Sequence, residues 1–169
     1  MKLEFKNIKK VFGKKTVLNN ISFTAKSGRA FGLLGRNGAG KTTTIRILMN
    51  VFKATSGEIL LDGKPLDYKS VSFGYLPEER GLYPKEKIFD QLVYLANLKG
   101  MNKKDAEKSI NYWLDFLNMS EYKNKQLDTL SKGNQQKIQL ISSIAHDPDI
   151  VVFDEPFSGL DPVNAKLLE

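Results

Sequence analysis

The sequence predicts an α/β fold, and three observations carry that prediction. Residues 30–52 read as strand, glycine-rich loop and helix. Residues 150–153 form a continuous apolar run of the kind found in a buried parallel strand. Between them, residues 81–125 show helical periodicity, a composition shift that marks a helical block inserted into the α/β part. A chain of 169 residues can bury one real core, and 41% hydrophobic with 27% charged residues places it among globular rather than disordered chains.

Composition also excludes chemistry. No cysteine is present, so disulfides, thiolate zinc sites and a cysteine nucleophile are excluded. No apolar run approaches the length of a bilayer span. Residues 1–5 lead directly into strand-like alternation, so no signal peptide is predicted. The net charge of +7 comes mainly from scattered lysines. Without aromatic residues interleaved among them there is no base-stacking platform, and nucleic acid is not a predicted partner.

Residues 2–25 read as short strands and turns. Leu3, Phe5 and Ile8 supply one apolar face, with a slip or bulge after Phe5. Residues 11–18 read as strand, glycine turn, strand, and residues 21–25 alternate again. From position alone Phe12 reads as a core residue, with stacking on an adenine as the alternative. Residues 30–34 are expected to be a buried strand feeding Gly35, Arg36, Asn37, Gly38, Ala39, Gly40, Lys41 and Thr42. This stretch fits G-x-x-x-x-G-K-[ST], the phosphate-binding loop. Its backbone N–H groups can form an anion cradle, Lys41 adds a point charge, and the Thr42 hydroxyl can take a Mg²⁺ coordination position. A helix starting near Gly40 would add its dipole. Its predicted apolar face is Ile45, Leu48, Met49 and Phe52.

Residues 58–63 read as a strand ending in an Asp-Gly turn, and residues 71–76 as a strand stopped by Pro77. In the helical block, Ile88, Leu92, Leu95 and Ala96 share a face that ends at Gly100. Asn102, with Asp105, caps a second helix lined by Ala106, Ile110, Trp113, Leu114 and Leu117. Trp113 reads as core. Ser131 caps a third helix, with Ile138, Ile141 and Ala145 inward. The run 150–153 ends in Asp154 and Glu155. Phosphate chemistry requires one carboxylate for the Mg²⁺ shell and another to orient or deprotonate water. Asp154 fits the first role and Glu155 the second; the plainer alternative is a solvated acidic turn.

Together, three stretches resemble the ATP-binding subunit of an ABC transporter. These are residues 35–42 (Walker A), 130–135 (the signature, usually L-S-G-G-Q) and 150–155 (Walker B with the catalytic Glu155). Residues 158–161 resemble the D-loop. The resemblance covers the whole chain. It implies a P-loop NTPase core with an antiparallel β subdomain and a helical insertion, truncated before the last core strands. Residues 1–80 would hold the β subdomain and first part of the core, 81–145 the helical signature subdomain, and 146–169 the Walker B and D-loop part. Phe12 then matches the aromatic that stacks on adenine, and Val17 a neighbouring adenine contact. Gly35, Asn37, Gly38, Gly40, Lys41, Thr42 and Thr43 would bind the nucleotide, with Lys41 and Glu155 catalytic. Thr42, Glu78 and Asp154 would hold Mg²⁺.

The resemblance further implies two copies meeting head to tail. Ser131 and Gly133 would contact the γ-phosphate of the ATP held by the partner copy, and closure would drive membrane permease subunits from the cytoplasmic face. Lys132, Asn134 and Glu78 depart from the common pattern in the manner of exporters of sodium, peptide antibiotics or drugs. The family's switch histidine and the strand that carries it, between the Walker A and Walker B strands, would lie beyond Glu169. The sole histidine, His146, precedes Walker B. The chain is therefore expected to be an amino-terminal fragment, weak in hydrolysis, with a gap in its sheet. The alternatives are a soluble ABC-type ATPase acting on ribosomes or DNA, and a nucleotide-binding fragment that does not hydrolyse.

Overall fold

The structure, a computed structural model, describes residues 1–78 and 81–155. The chain divides into two compact units, Met1–Ser70 and Val71–Glu169.

In the first unit, β1 (Lys2–Phe12) and β2 (Lys15–Lys26) form a long antiparallel hairpin. β3 (Ser56–Leu61) pairs with the other edge of β1, and β4 (Lys64–Pro65) completes a sheet ordered β2-β1-β3-β4. Leu3, Phe5, Ile8, Leu18 and Leu60 are buried on it. The expected irregularity after Phe5 is present. The register shifts between Phe5 and Ile8, and Asn7 there has φ 52°. A further shift falls between Lys10, opposite Leu18, and Val11, opposite Thr16, leaving Val17 as the extra residue of a bulge. α1 (Lys41–Leu48) follows the glycine-rich loop.

Two expectations fail in this unit. Residues 30–34 form no strand, and Leu34 is 93% exposed. A strand needs a neighbour to take its N–H and C=O groups, and none pairs with this segment among the described residues. Phe31 is anchored by stacking on Phe23 at 4.9 Å, while Phe23 stacks on Phe5 at 4.3 Å. The face of α1 also differs. Leu48 points inward as expected, but beside Thr44 and Ile47 rather than Ile45, and the helix stops before Met49 and Phe52.

The early stop has a local cause. Asn50 adopts φ 56° and donates to the Ile47 carbonyl at 3.1 Å, and Val51 donates to Arg46 at 2.9 Å. This paired closure satisfies the last carbonyls with a left-handed residue just past the helix. The same closure ends α2 (Ile88–Leu98) at Gly100 and α3 (Lys103–Phe116) at Asn118. Asparagine tolerates the left-handed region, so two of these three stops carry no glycine signal.

The second unit is built on α2, α3 and α4 (Lys132–Ile144) around Ile88, Leu92, Ile110, Leu114, Met119, Ile138 and Ile141. Asn102 and Ser131 cap α3 and α4 as expected, accepting from the N–H groups of Asp105 and Asn134 at 3.0 and 3.3 Å. Trp113 is half-buried against this core. α2 has no side-chain cap. Its Ile88 and Phe89 N–H groups instead donate to the Lys125 and Lys123 carbonyls, each at 3.0 Å.

β5 (Phe73–Leu76) and β6 (Ile150–Phe153) pair in parallel. β6 is not buried on both faces as its apolar run suggests: Val151 and Phe153 are exposed. A parallel strand loses both faces to the core only when both are covered, and α4 packs on the sheet through β5. That contact is close enough to need Gly74, where a Cβ would collide with the Ser143 carbonyl and the Pro148 ring. His146 is buried beside it, with Nε2 donating to the Phe73 carbonyl at 3.1 Å and no partner for Nδ1 among the described residues. Burial holds its pKa below the usual histidine value.

Two outcomes follow. Asn118→Val should lower stability by about 1–2 kcal/mol, and Asn118→Gly should not, in urea unfolding. His146 in the unfolded chain takes up a proton near pH 6.5, but in the folded chain only at lower pH. Its contribution is therefore full above about pH 6.5 and is lost as pH falls. The urea midpoint should drop on acidification, and His146→Phe should reduce that drop.

Candidate nucleotide site

The loop between residues 35 and 41 is shaped by two left-handed glycines, Gly38 at φ 80° and Gly40 at φ 94°. Gly40 is the N-cap of α1. Its position is dictated by packing as well as conformation. A Cβ there would run into the Leu18 side chain and stand 3.3 Å from the Val17 carbonyl. The bulge at Val17 thus sets β2 directly against the start of α1. Thr44 locks the same corner from inside the helix, its hydroxyl and N–H both bonding the Gly40 carbonyl at 2.9 Å.

The electrostatics favour an anion. A helix start leaves several N–H groups without intrahelical partners and carries about half a positive charge. No acidic residue occupies the first turn of α1 to offset it. Lys41 Nζ donates to the carbonyls of Gly35 and Arg36 at 2.9 and 3.3 Å, which holds the ammonium on the loop. Gly35, Asn37 and Gly38 are exposed; Lys41, Thr42 and Thr43 are half-buried. Phe12 is not a core residue. It is 46% exposed, with its ring edge-to-face with Phe52 at 5.4 Å.

The remaining candidates lie in the second unit. Glu78 follows β5 and is exposed; Asp154 and Glu155 follow β6. Because Leu76 pairs with Phe153, these carboxylates occupy the carboxyl ends of adjacent parallel strands, where open sheets bind ligands. Asp154 is only 4% exposed, its N–H donates to the Leu76 carbonyl at 2.9 Å, and no ion pair reaches it among the described residues. Glu155 is exposed with φ 53°, a turn conformation uncommon for glutamate. Ser131 and Gly133 sit at the start of α4, with Gln135 Nε2 tied to the Leu130 carbonyl at 2.9 Å. The D-loop residues 158–161 lie outside the described residues.

Comparison with known proteins settles the family. The family model described as ABC transporter matches residues 18–158. The chain belongs to the ABC transporter family. Its relatives include the uncharacterized ABC transporter ATP-binding protein YhaQ of Bacillus subtilis, 51% identical over 99% of this chain and 56% of that protein. Another is the linearmycin resistance ATP-binding protein LnrL of the same organism, 34% identical over 95% of this chain and 53% of that protein. The chain thus spans about half the length of these curated relatives. Among solved structures, an ATP-binding subunit of an ABC transporter superposes with a TM-score of 0.86 at 27% identity. That match covers 99% of this chain and 72% of the other.

The ABC ATP-binding domain therefore has its loop supported by residues the motif does not name. Leu18 and Thr44 fix Gly40, and neither carries a pattern of its own; only the contact reveals them. Gly40→Ala should destabilise the domain more than Gly38→Ala. Both residues are left-handed, but a Cβ at Gly38 meets no atom within 4 Å. Urea unfolding of the two variants should separate them by about 1 kcal/mol or more.

Proposed function

We propose that this ABC ATP-binding domain hydrolyses ATP to power export of a substrate through membrane permease subunits, working as a head-to-tail pair at the cytoplasmic face. The observation that supports this best is the loop at 35–41. It combines two left-handed glycines, a lysine held across the loop and a helix start with no acidic side chain. Such a loop suits a polyphosphate rather than a neutral ligand.

Lys41 places its charge on the β- and γ-phosphates, and the loop backbone from Gly35 to Thr43 donates to their oxygens. Phe12 and Val17 take the adenine. Thr42 and Asp154 hold Mg²⁺, with Glu78 as a further carboxylate ligand or water acceptor. A buried carboxylate with no described counter-charge suits a hard cation, since the cation supplies the compensation that burial demands. When bound, the metal neutralises charge on the phosphoryl oxygens. Glu155 orients the attacking water and accepts its proton on a carboxylate oxygen, while the water oxygen bonds to the γ-phosphorus and the bond to the β–γ bridging oxygen breaks. Ser131 Oγ and the Gly133 N–H of a second copy contact the same γ-phosphate.

The export direction is supported by a relative named for Nod factor export, 34% identical over 98% of this chain. Import is the second reading, because the zinc import ATP-binding protein ZnuC of Rickettsia conorii is 38% identical over 94% of this chain. No helix among the described residues is long and apolar enough to cross a membrane. In the full-length protein, Glu155→Gln should keep ATP affinity and lower turnover by about a hundredfold or more, the worth of a general base. Unchanged turnover would remove Glu155 from the mechanism.

A further inference from the structure

Phe12 sits in a frame that no phosphate motif accounts for. Lys10 and Phe12 are two residues apart on β1 and so share one face of the strand. Lys10 Nζ lies over the Phe12 ring, 4.8 Å from its centroid, and over the Phe52 ring at 4.7 Å. The two rings meet at 84°. The same ammonium donates to the Lys53 carbonyl at 2.6 Å. The segment that brings Phe52 and Lys53 is itself pinned to β1. Thr55 N donates to the Lys9 carbonyl at 2.8 Å, and Val11 N donates to Thr55 Oγ1 at 3.0 Å.

This arrangement is poorly explained by stability alone. A ring recruited for hydrophobic burial would be covered, yet Phe12 stays 46% exposed while its orientation is held from an edge and by a cation. Holding a half-exposed aromatic in one rotamer removes the entropy that a ligand would otherwise lose on ordering it. A cation over an aromatic ring engages the negative π quadrupole. The ring then repels the π cloud of a stacked base less.

We propose that Lys10 and Phe52 are positioning residues for the adenine of the bound nucleotide, acting through Phe12. The proposal rests on the assignment of Phe12 to adenine made above. It predicts that their influence falls on the base half of the ligand and leaves the phosphate half untouched, because Lys41 and the loop are built separately on α1.

The test measures calorimetric affinities of the full-length protein for Mg·ATP and for Mg·tripolyphosphate, which lacks the base. Lys10→Met and Phe52→Leu should each weaken ATP binding about three- to tenfold, the range of cation–π and aromatic-pair effects, while tripolyphosphate affinity stays unchanged. Lys10→Arg should restore ATP affinity, since a guanidinium keeps the cation and the donor. Parallel losses for both ligands, or no loss in either variant, would overturn the positioning role. Phe12→Ala separates the two layers. If it leaves ATP affinity unchanged, the adenine assignment itself fails and takes the inference with it. If it weakens ATP about tenfold or more, as loss of a stacked base does, while Lys10→Met and Phe52→Leu have no effect, only the positioning role is lost.

Discussion

The approach of β2 to Gly40 is the constraint on which the first unit depends. The Val17 bulge and the Leu18 side chain occupy the space where any other residue at position 40 would put its Cβ. The start of α1 is therefore held against the sheet, and with it the direction of the helix dipole and the position of Lys41. A loop of exposed glycines would otherwise wander. Here it is bounded on one side by Leu18, closed from within by the Thr44 hydroxyl and bridged by the Lys41 ammonium. The phosphate loop is not a self-contained unit. In this chain its geometry is set by a strand more than twenty residues earlier.

A second theme is that backbone groups must find partners, and the elements end where they do. Three helices close on a left-handed residue that returns the chain to the last carbonyls. α2 starts without a side-chain cap because the carbonyls of Lys123 and Lys125 take its first N–H groups. Where no partner is at hand, no element forms. Residues 30–34 have the composition of a strand and remain irregular. β6 has one described strand partner and shows Val151 and Phe153 to solvent.

Much of the candidate site was legible in the order of residues. The phosphate loop, the Ser131 cap, the Asn102 cap and the parallel strand before Asp154 all follow from short-range chemistry. A capping side chain bonds three residues away, and a glycine turn needs only its own φ. The helix face in α1 was misread because Asn50 stops the helix without announcing it, and because Thr44 turns inward to bond a carbonyl. Position alone made Phe12 a core residue, since spacing on a strand does not say whether anything covers the ring.

The sequence by itself determined the motif chemistry: which residues can cradle a polyphosphate, which carboxylates stand at strand ends, and where α3 and α4 begin. These are decided within a turn or two of chain. Tertiary structure alone decided which predicted strands exist, how Gly40 is pinned, and that Phe12 is framed by Lys10 and Phe52 yet left open to a ligand. Such features depend on segments tens of residues apart occupying the same few ångströms, and no local periodicity records that.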